Sequence, residues 1–228
     1  DDDVAFLEYD LIAAVEYAQG VNWSDRQQGR LYAGVDIGRK HDLTVLWVVE
    51  QLGDVFYTRH VECMERMRKS DQEKILYPWF EICDRICIDS TGLGIGWTDD
   101  AQDKFGEQRV EGVSFTGQVK EALAYPLKGA MEDRMVRIPE DPKIRADLRK
   151  VQKTTTAAGN IRFVAESDNA GHADRFWALA LALHAGSNPA APLDWTPAPS
   201  LPRGFDNHGA EGEQDEDYLR LIEPRASW

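Results

Sequence analysis

At 228 residues the chain has room for one domain with appendages or for two small domains. No apolar run approaches the roughly 20 residues that a membrane span needs, and a net charge of -14 argues against a general nucleic-acid-binding surface. The charge is uneven, however: residues 1–30 and 188–228 carry -5 each, which leaves -4 on residues 31–187, so DNA is not excluded as a substrate of the central part.

The N-terminus, Asp1-Asp2-Asp3, is the opposite of a signal peptide's basic start, and without a Met it reads as cut from a longer chain or processed. Residues 4–20 place Val4, Leu7, Leu11, Ile12, Val15 and Ala18 at helical spacing. The expectation is a short amphipathic helix and then a polar linker to Arg30, with residues 1–30 connecting to a missing upstream domain. Residues 31–37, 44–51 and 55–63 read as consecutive strands, the last two joined by a Leu52-Gly53-Asp54 hairpin turn. Residues 64–83 turn helical, with Ser70 as N-cap and Glu73 three residues on.

Residues 85–89 form a short apolar strand that enters Asp89-Ser90-Thr91-Gly92-Leu93-Gly94. A strand running from a helix into a Gly-rich loop marks a parallel crossover, and the sites of open α/β sheets collect at such strand ends. A helix over 98–105, a strand over 110–115, a helix over 118–135 bent at Pro126, and a helix over 141–152 follow. Residues 154–165 read as a hairpin around Ala158-Gly159-Asn160. Residues 173–185 form a helix apolar on nearly every face and so buried. Residues 188–228, acidic and rich in Pro, are expected as a loosely ordered tail. The three cysteines, Cys63, Cys83 and Cys87, read as reduced core residues, and Cys83-x-x-x-Cys87 has no matching Cys or His pair for a structural zinc site.

The chemistry concentrates in three acids. Asp36 lies inside the strand Val35-Asp36-Ile37, where Asp is disfavoured. Asp89 ends a strand, and Asp174 shares a helical face with Trp177, Ala178 and Leu181, so it points toward the sheet. A buried carboxylate there costs several kcal/mol unless it is paired, protonated or bound to metal. An all-carboxylate set suits hard cations, Mg²⁺ or Mn²⁺, and not zinc. Two such ions about 4 Å apart stabilise both oxygens of an in-line phosphoryl displacement. Each acid also has an ordinary reading as a turn or capping residue. Asp42 reads equally as a hairpin-turn Asp, His172 as a loop histidine, Asp168 as a loop acid, and Arg39 and Lys40 as exposed basic turn residues or weak phosphate contacts.

Three motifs together resemble the C-terminal nuclease domain of the large terminase subunit of tailed phages. They are Val35-Asp36-Ile37-Gly38 with Asp42 and Thr44, Ile86-Cys87-Ile88-Asp89-Ser90-Thr91-Gly92, and Gly171-His172-Ala173-Asp174-Arg175-Phe176-Trp177-Ala178-Leu179-Ala180, the last most like the Mu-like branch. The resemblance implies an RNase H-like α/β fold over 31–187: a five-stranded mixed sheet with its first three strands antiparallel, flanked by helices, with an additional β-hairpin. It implies that Asp36, Asp89 and Asp174 are catalytic metal ligands for two Mg²⁺ or Mn²⁺ ions, one held by Asp36 and Asp174 and the other by Asp36 and Asp89. Asp42 and His172 are then accessory groups. The implied activity is cutting of concatemeric viral double-stranded DNA during packaging in the host cytoplasm at the procapsid. Implied partners are an N-terminal ATPase domain of the same protein, the portal and the small terminase subunit. No Gly-x-x-x-x-Gly-Lys-Ser/Thr phosphate loop is present, so the motor itself is not in these residues. An actin-like phosphotransferase, which also uses a strand with Asp-x-Gly, leaves Asp174 unexplained. A degenerate docking module leaves the intact acid triplet unexplained.

Overall fold

The computed structural model describes residues 5–38, 43–155, 161–165 and 173–187. In chain order the elements are α1 (Tyr9–Ala13), β1 (Glu16–Tyr17), a 3-10 turn (Trp23–Asp25), β2 (Arg30–Asp36), β3 (Leu43–Leu52), β4 (Val55–Glu65), α2 (Lys69–Ile82), β5 (Arg85–Asp89), α3 (Gly94–Phe105), β6 (Val110–Val113), α4 (Gly117–Glu132), β7 (Val136–Pro139), α5 (Pro142–Arg149), β8 (Val151–Thr155), β9 (Ile161–Ala165) and α6 (Asp174–Ser187).

β2 shows how one sequence serves two faces. Successive side chains of a strand point to opposite faces. Leu31, Ala33, Val35 and Ile37 therefore enter one core with Leu46, Val48, Ile86 and Ile88, against Leu76 and Phe80 of α2. Tyr32 goes to the other core, with Val45, Trp47, Val49 and Cys87, under α4 and α6. Gly34 and Asp36 stand on that second face by the same alternation. A strand covered on both sides reads as a continuous apolar run, which is why Asp36, only 7% exposed, stands out.

β2 pairs antiparallel with β3 and β3 with β4, while β2 pairs parallel with β5 and β5 with β6. These are the five strands expected from the sequence. The sheet has seven, in the order β1-β7-β4-β3-β2-β5-β6, because β7 and then β1 add in parallel beyond β4. β7 is a four-residue strand that follows α4 after a three-residue break. The pattern predicts the helix to residue 135, and α4 ends three residues earlier, at Glu132. The hairpin is present as the separate two-stranded β8–β9 sheet. β4 continues to Glu65, so α2 starts at Lys69 behind Arg68, and Ser70 lies inside the helix instead of capping it.

Residues 5–30, expected as a connector, pack against the domain. Leu7, Ile12 and Val15 are fully buried, and α1 occupies five residues of the longer helix expected over 4–20. The Glu50 carboxylate, also fully buried, accepts from the backbone N–H groups of Gln27 and Gly29 and from Arg59 Nε at 2.7 Å. Arg59 Nη1 in turn donates to the Gly20 carbonyl. This ion pair fastens the N-terminal segment to the β3–β4 hairpin. Cys83 and Cys87 are buried free thiols and Cys63 is partly exposed.

Candidate active site

The register of α6 on the sheet places the site. A Cβ on Gly34 would lie 2.1 Å from the Ala178 carbonyl oxygen and 2.3 Å from the Ala182 nitrogen, and one on Gly186 would meet the rings of Phe56 and Tyr32. The helix thus runs antiparallel to β2, its C-terminal end over Tyr32 and its middle on Gly34. Two residues beyond Gly34 on the strand, and one turn before Ala178 on the helix, come Asp36 and Asp174. Val35 is in register with Ile88 on the parallel strand β5, so Asp36 and Asp89 end adjacent strands. Asp36, Asp89 and Asp174 accordingly occupy one end and one face of the sheet, at 7%, 8% and 6% exposure.

Local structure holds each acid. The Thr44 hydroxyl accepts from the Gly38 N–H at 3.1 Å and closes the chain just after Asp36. Asp89 Oδ1 accepts from the Thr91 N–H at 2.8 Å, and the Thr91 hydroxyl accepts from the Phe115 N–H at 2.9 Å. Gly94 carries no side chain because a Cβ would lie 1.7 Å from the Asp89 carbonyl oxygen. Asp174 begins α6 directly after Ala173, a buried non-glycine residue at φ +64°. That left-handed conformation is costly for Ala and is stored where the helix must turn toward the sheet. Asp147 of α5 anchors the same turn, accepting from Arg175 Nη1 and from Lys150 Nζ, both at 2.9 Å.

Among the described residues, a lysine faces Asp36 and Asp89. Lys120 of α4 is partly buried, with its Nζ 5.0 Å from the centre of the Trp177 ring and 5.7 Å from that of Phe115. Burial lowers its pKa; the Asp36 and Asp89 charges pull the other way, and Arg162 of β9 adds to the lowering. Sequence reasoning missed Lys120, because nothing in its local pattern separates it from any solvent-facing helix lysine. The expectations for Arg39, Lys40, Asp42 and His172 lie outside the described residues.

Three buried carboxylates offer oxygen donors alone, a set that fits a hard divalent cation. A mixed sheet of this order, with acids at the ends of adjacent strands and a third on a helix packed across them, defines the RNase H-like class. The chain belongs to the terminase RNaseH-like domain family, whose model matches residues 33–185. Among solved structures it is similar to the large terminase nuclease from thermophilic phage G20c with bound magnesium: 24% identity, TM-score 0.65, covering 81% of this chain and 98% of that one. It is also similar to the nuclease domain of the large terminase subunit gp2 of bacterial virus Sf6, in a K428A mutant with manganese and beta-thujaplicinol. There the identity is 15% and the TM-score 0.56, over 79% and 98% of the two chains. The HK97 bacteriophage large terminase matches at 15% identity and TM-score 0.52, over 78% of this chain and 43% of that one. No curated protein sequence matches.

Proposed function

We propose that this domain is a divalent-metal-dependent endodeoxyribonuclease that cuts concatemeric viral double-stranded DNA during genome packaging, at the procapsid in the host cytoplasm. It would act with an N-terminal ATPase domain of the same protein, and with the portal and small terminase subunit as further partners. The observation that carries this reading is the placement of Asp36, Asp89 and Asp174, all buried, at one end of the sheet of a terminase-family fold.

In this reading Asp36 and Asp174 would hold one Mg²⁺ or Mn²⁺ and Asp36 and Asp89 a second; when bound, the ions would activate a water and stabilise charge on the phosphate. The residues themselves do the positioning. The Thr91 N–H fixes one Asp89 oxygen and so orients the other. Lys120, held between the Trp177 ring and the acids, binds a non-bridging oxygen of the scissile phosphate. The sequence carries no base-reading motif, so in this reading cutting is nearly sequence-independent and falls with salt.

The test is plasmid cleavage with Mn²⁺ or Mg²⁺. Asp36→Asn, Asp89→Asn and Asp174→Asn should each abolish cutting while leaving the melting transition cooperative. Full activity in any one of them would overturn the site, and a single defined cleavage position would overturn the lack of specificity.

A further inference from the structure

A second group of donor side chains lies on the same face of the sheet, toward the other end of α6. Cys87 of β5 and Glu111 of β6 are register partners on adjacent strands, and His184 comes from the last turns of α6. Their donor atoms all lie within 4.8 Å of one another. His184 Nε2 is 3.3 Å from Glu111 Oε1, and Cys87 Sγ is 3.7 Å from Glu111 Oε2. A tetrahedral ion with bonds of about 2.0–2.3 Å to nitrogen, oxygen and sulfur sets its donor–donor edges at roughly 3.3–3.6 Å. The two contacts run to different Glu111 oxygens, so the carboxylate must turn to offer one of them, and the three donors, already within 4.8 Å, then close on one ion by side-chain rotation. We propose that Cys87, Glu111 and His184 form a site for a divalent transition metal of the zinc type, separate from the carboxylate site.

The donor chemistry separates the two sites. A thiolate, an imidazole and a carboxylate suit zinc and its tetrahedral substitutes, whereas magnesium takes oxygen ligands. Arg85 donates to Glu111 and also meets the Cys87 thiol, so it orients both groups. Glu111 also lines a cavity of about 520 Å³ together with Arg85, Gln102 and Gly112, so one of the three groups reaches solvent there. On binding, the Cys87 sulfur forms the metal bond and releases its proton to solvent. The bound ion ties the edge strand β6 to β5 and to α6. Sequence spacing did not suggest this site because its ligands come from three separate elements, not from a Cys-x-x-Cys pair.

Cobalt(II) tests the proposal directly, because a sulfur ligand gives it a near-ultraviolet charge-transfer band that oxygen ligands do not. Titrated into the metal-stripped chain with magnesium in excess, cobalt should bind one equivalent with that band and with the strong visible absorption of tetrahedral cobalt. Cys87→Ser should abolish the band, His184→Ala and Glu111→Gln should each weaken affinity roughly tenfold or more, and Asp36→Asn and Cys63→Ser should leave it intact. Zinc should raise the melting temperature of the unaltered chain and not that of His184→Ala, which keeps the test decisive even where Cys87→Ser folds poorly. Absence of the sulfur band in the unaltered chain overturns the site, as does its survival in Cys87→Ser or its loss in Asp36→Asn. The three groups are then an ion-paired network with Arg85 and nothing more.

Discussion

A Cβ on Gly34 would stand 2.1 Å from the carbonyl oxygen of Ala178, closer than any side-chain atom can approach backbone. The contact sets how near α6 comes to β2, and with it the position of Asp174 relative to Asp36. Gly34→Ala must push the helix outward, because the obstacle is backbone and cannot rotate away. The expected loss is about 3 kcal/mol or more, read from the urea midpoint, with cleavage reduced beyond the fraction unfolded. A variant of unaltered stability and activity would mean that this approach does not set the site.

Asp147, buried at 3% side-chain exposure, pairs with the half-buried Arg175. Removing Asp147 leaves Arg175 without this partner in a partly solvated place, so Asp147→Ala should cost about 1–3 kcal/mol. A double-mutant cycle with Arg175→Met should return a coupling well above the few tenths of a kcal/mol expected of independent sites. Additive effects would show that the pair does not hold the first turn of α6.

Lys120→Ala should lower cleavage by about a hundredfold, the typical effect of losing one preorganised donor to developing charge. Lys120→Arg should restore part of it. A rise in the DNA concentration needed, with the maximal rate unchanged, would instead make Lys120 a contact to DNA away from the reacting phosphate.

His60 carries the expected pH dependence. Its ring stacks on Trp79, 4.3 Å between centroids and 16° between planes. Burial lowers its pKa below 6.5, and the Glu62 charge opposes this. The unfolded chain therefore takes up the proton first as pH falls, so this contribution is complete above 6.5 and is lost progressively as pH drops toward the native pKa. His60→Gln should flatten stability against pH below about 6.5 in denaturant titrations. A slope there identical to that of the unaltered chain would remove His60 from the account.

The positions of Asp36, Asp89 and Asp174 were legible in the sequence because each acid interrupts an apolar pattern, and burial of a carboxylate is costly enough to leave few reasons for it. The central strands β2 to β6 were legible from long apolar runs and Gly-rich ends. β7 was not, because Val136–Pro139 is four residues with alternating burial directly behind a helix, too short for its period to register. The docking of residues 5–30 was half legible: Leu7, Ile12 and Val15 read as an apolar face, but a helical wheel does not say what that face meets. Glu50 looked like a polar residue near the end of a strand, and its burial shows only once Arg59 folds back across from β4.

The Glu50 fastening has a mechanical consequence. Tension on the chain just ahead of Gly20 loads the Gly20 carbonyl and then the Gln27 and Gly29 amides, and there it is taken up by Arg59 and Glu50 on the β3–β4 hairpin. β2, the strand that carries Asp36, begins at Arg30, just past this anchor. A pull along this segment therefore loads the β3–β4 hairpin before it loads the strand that carries Asp36.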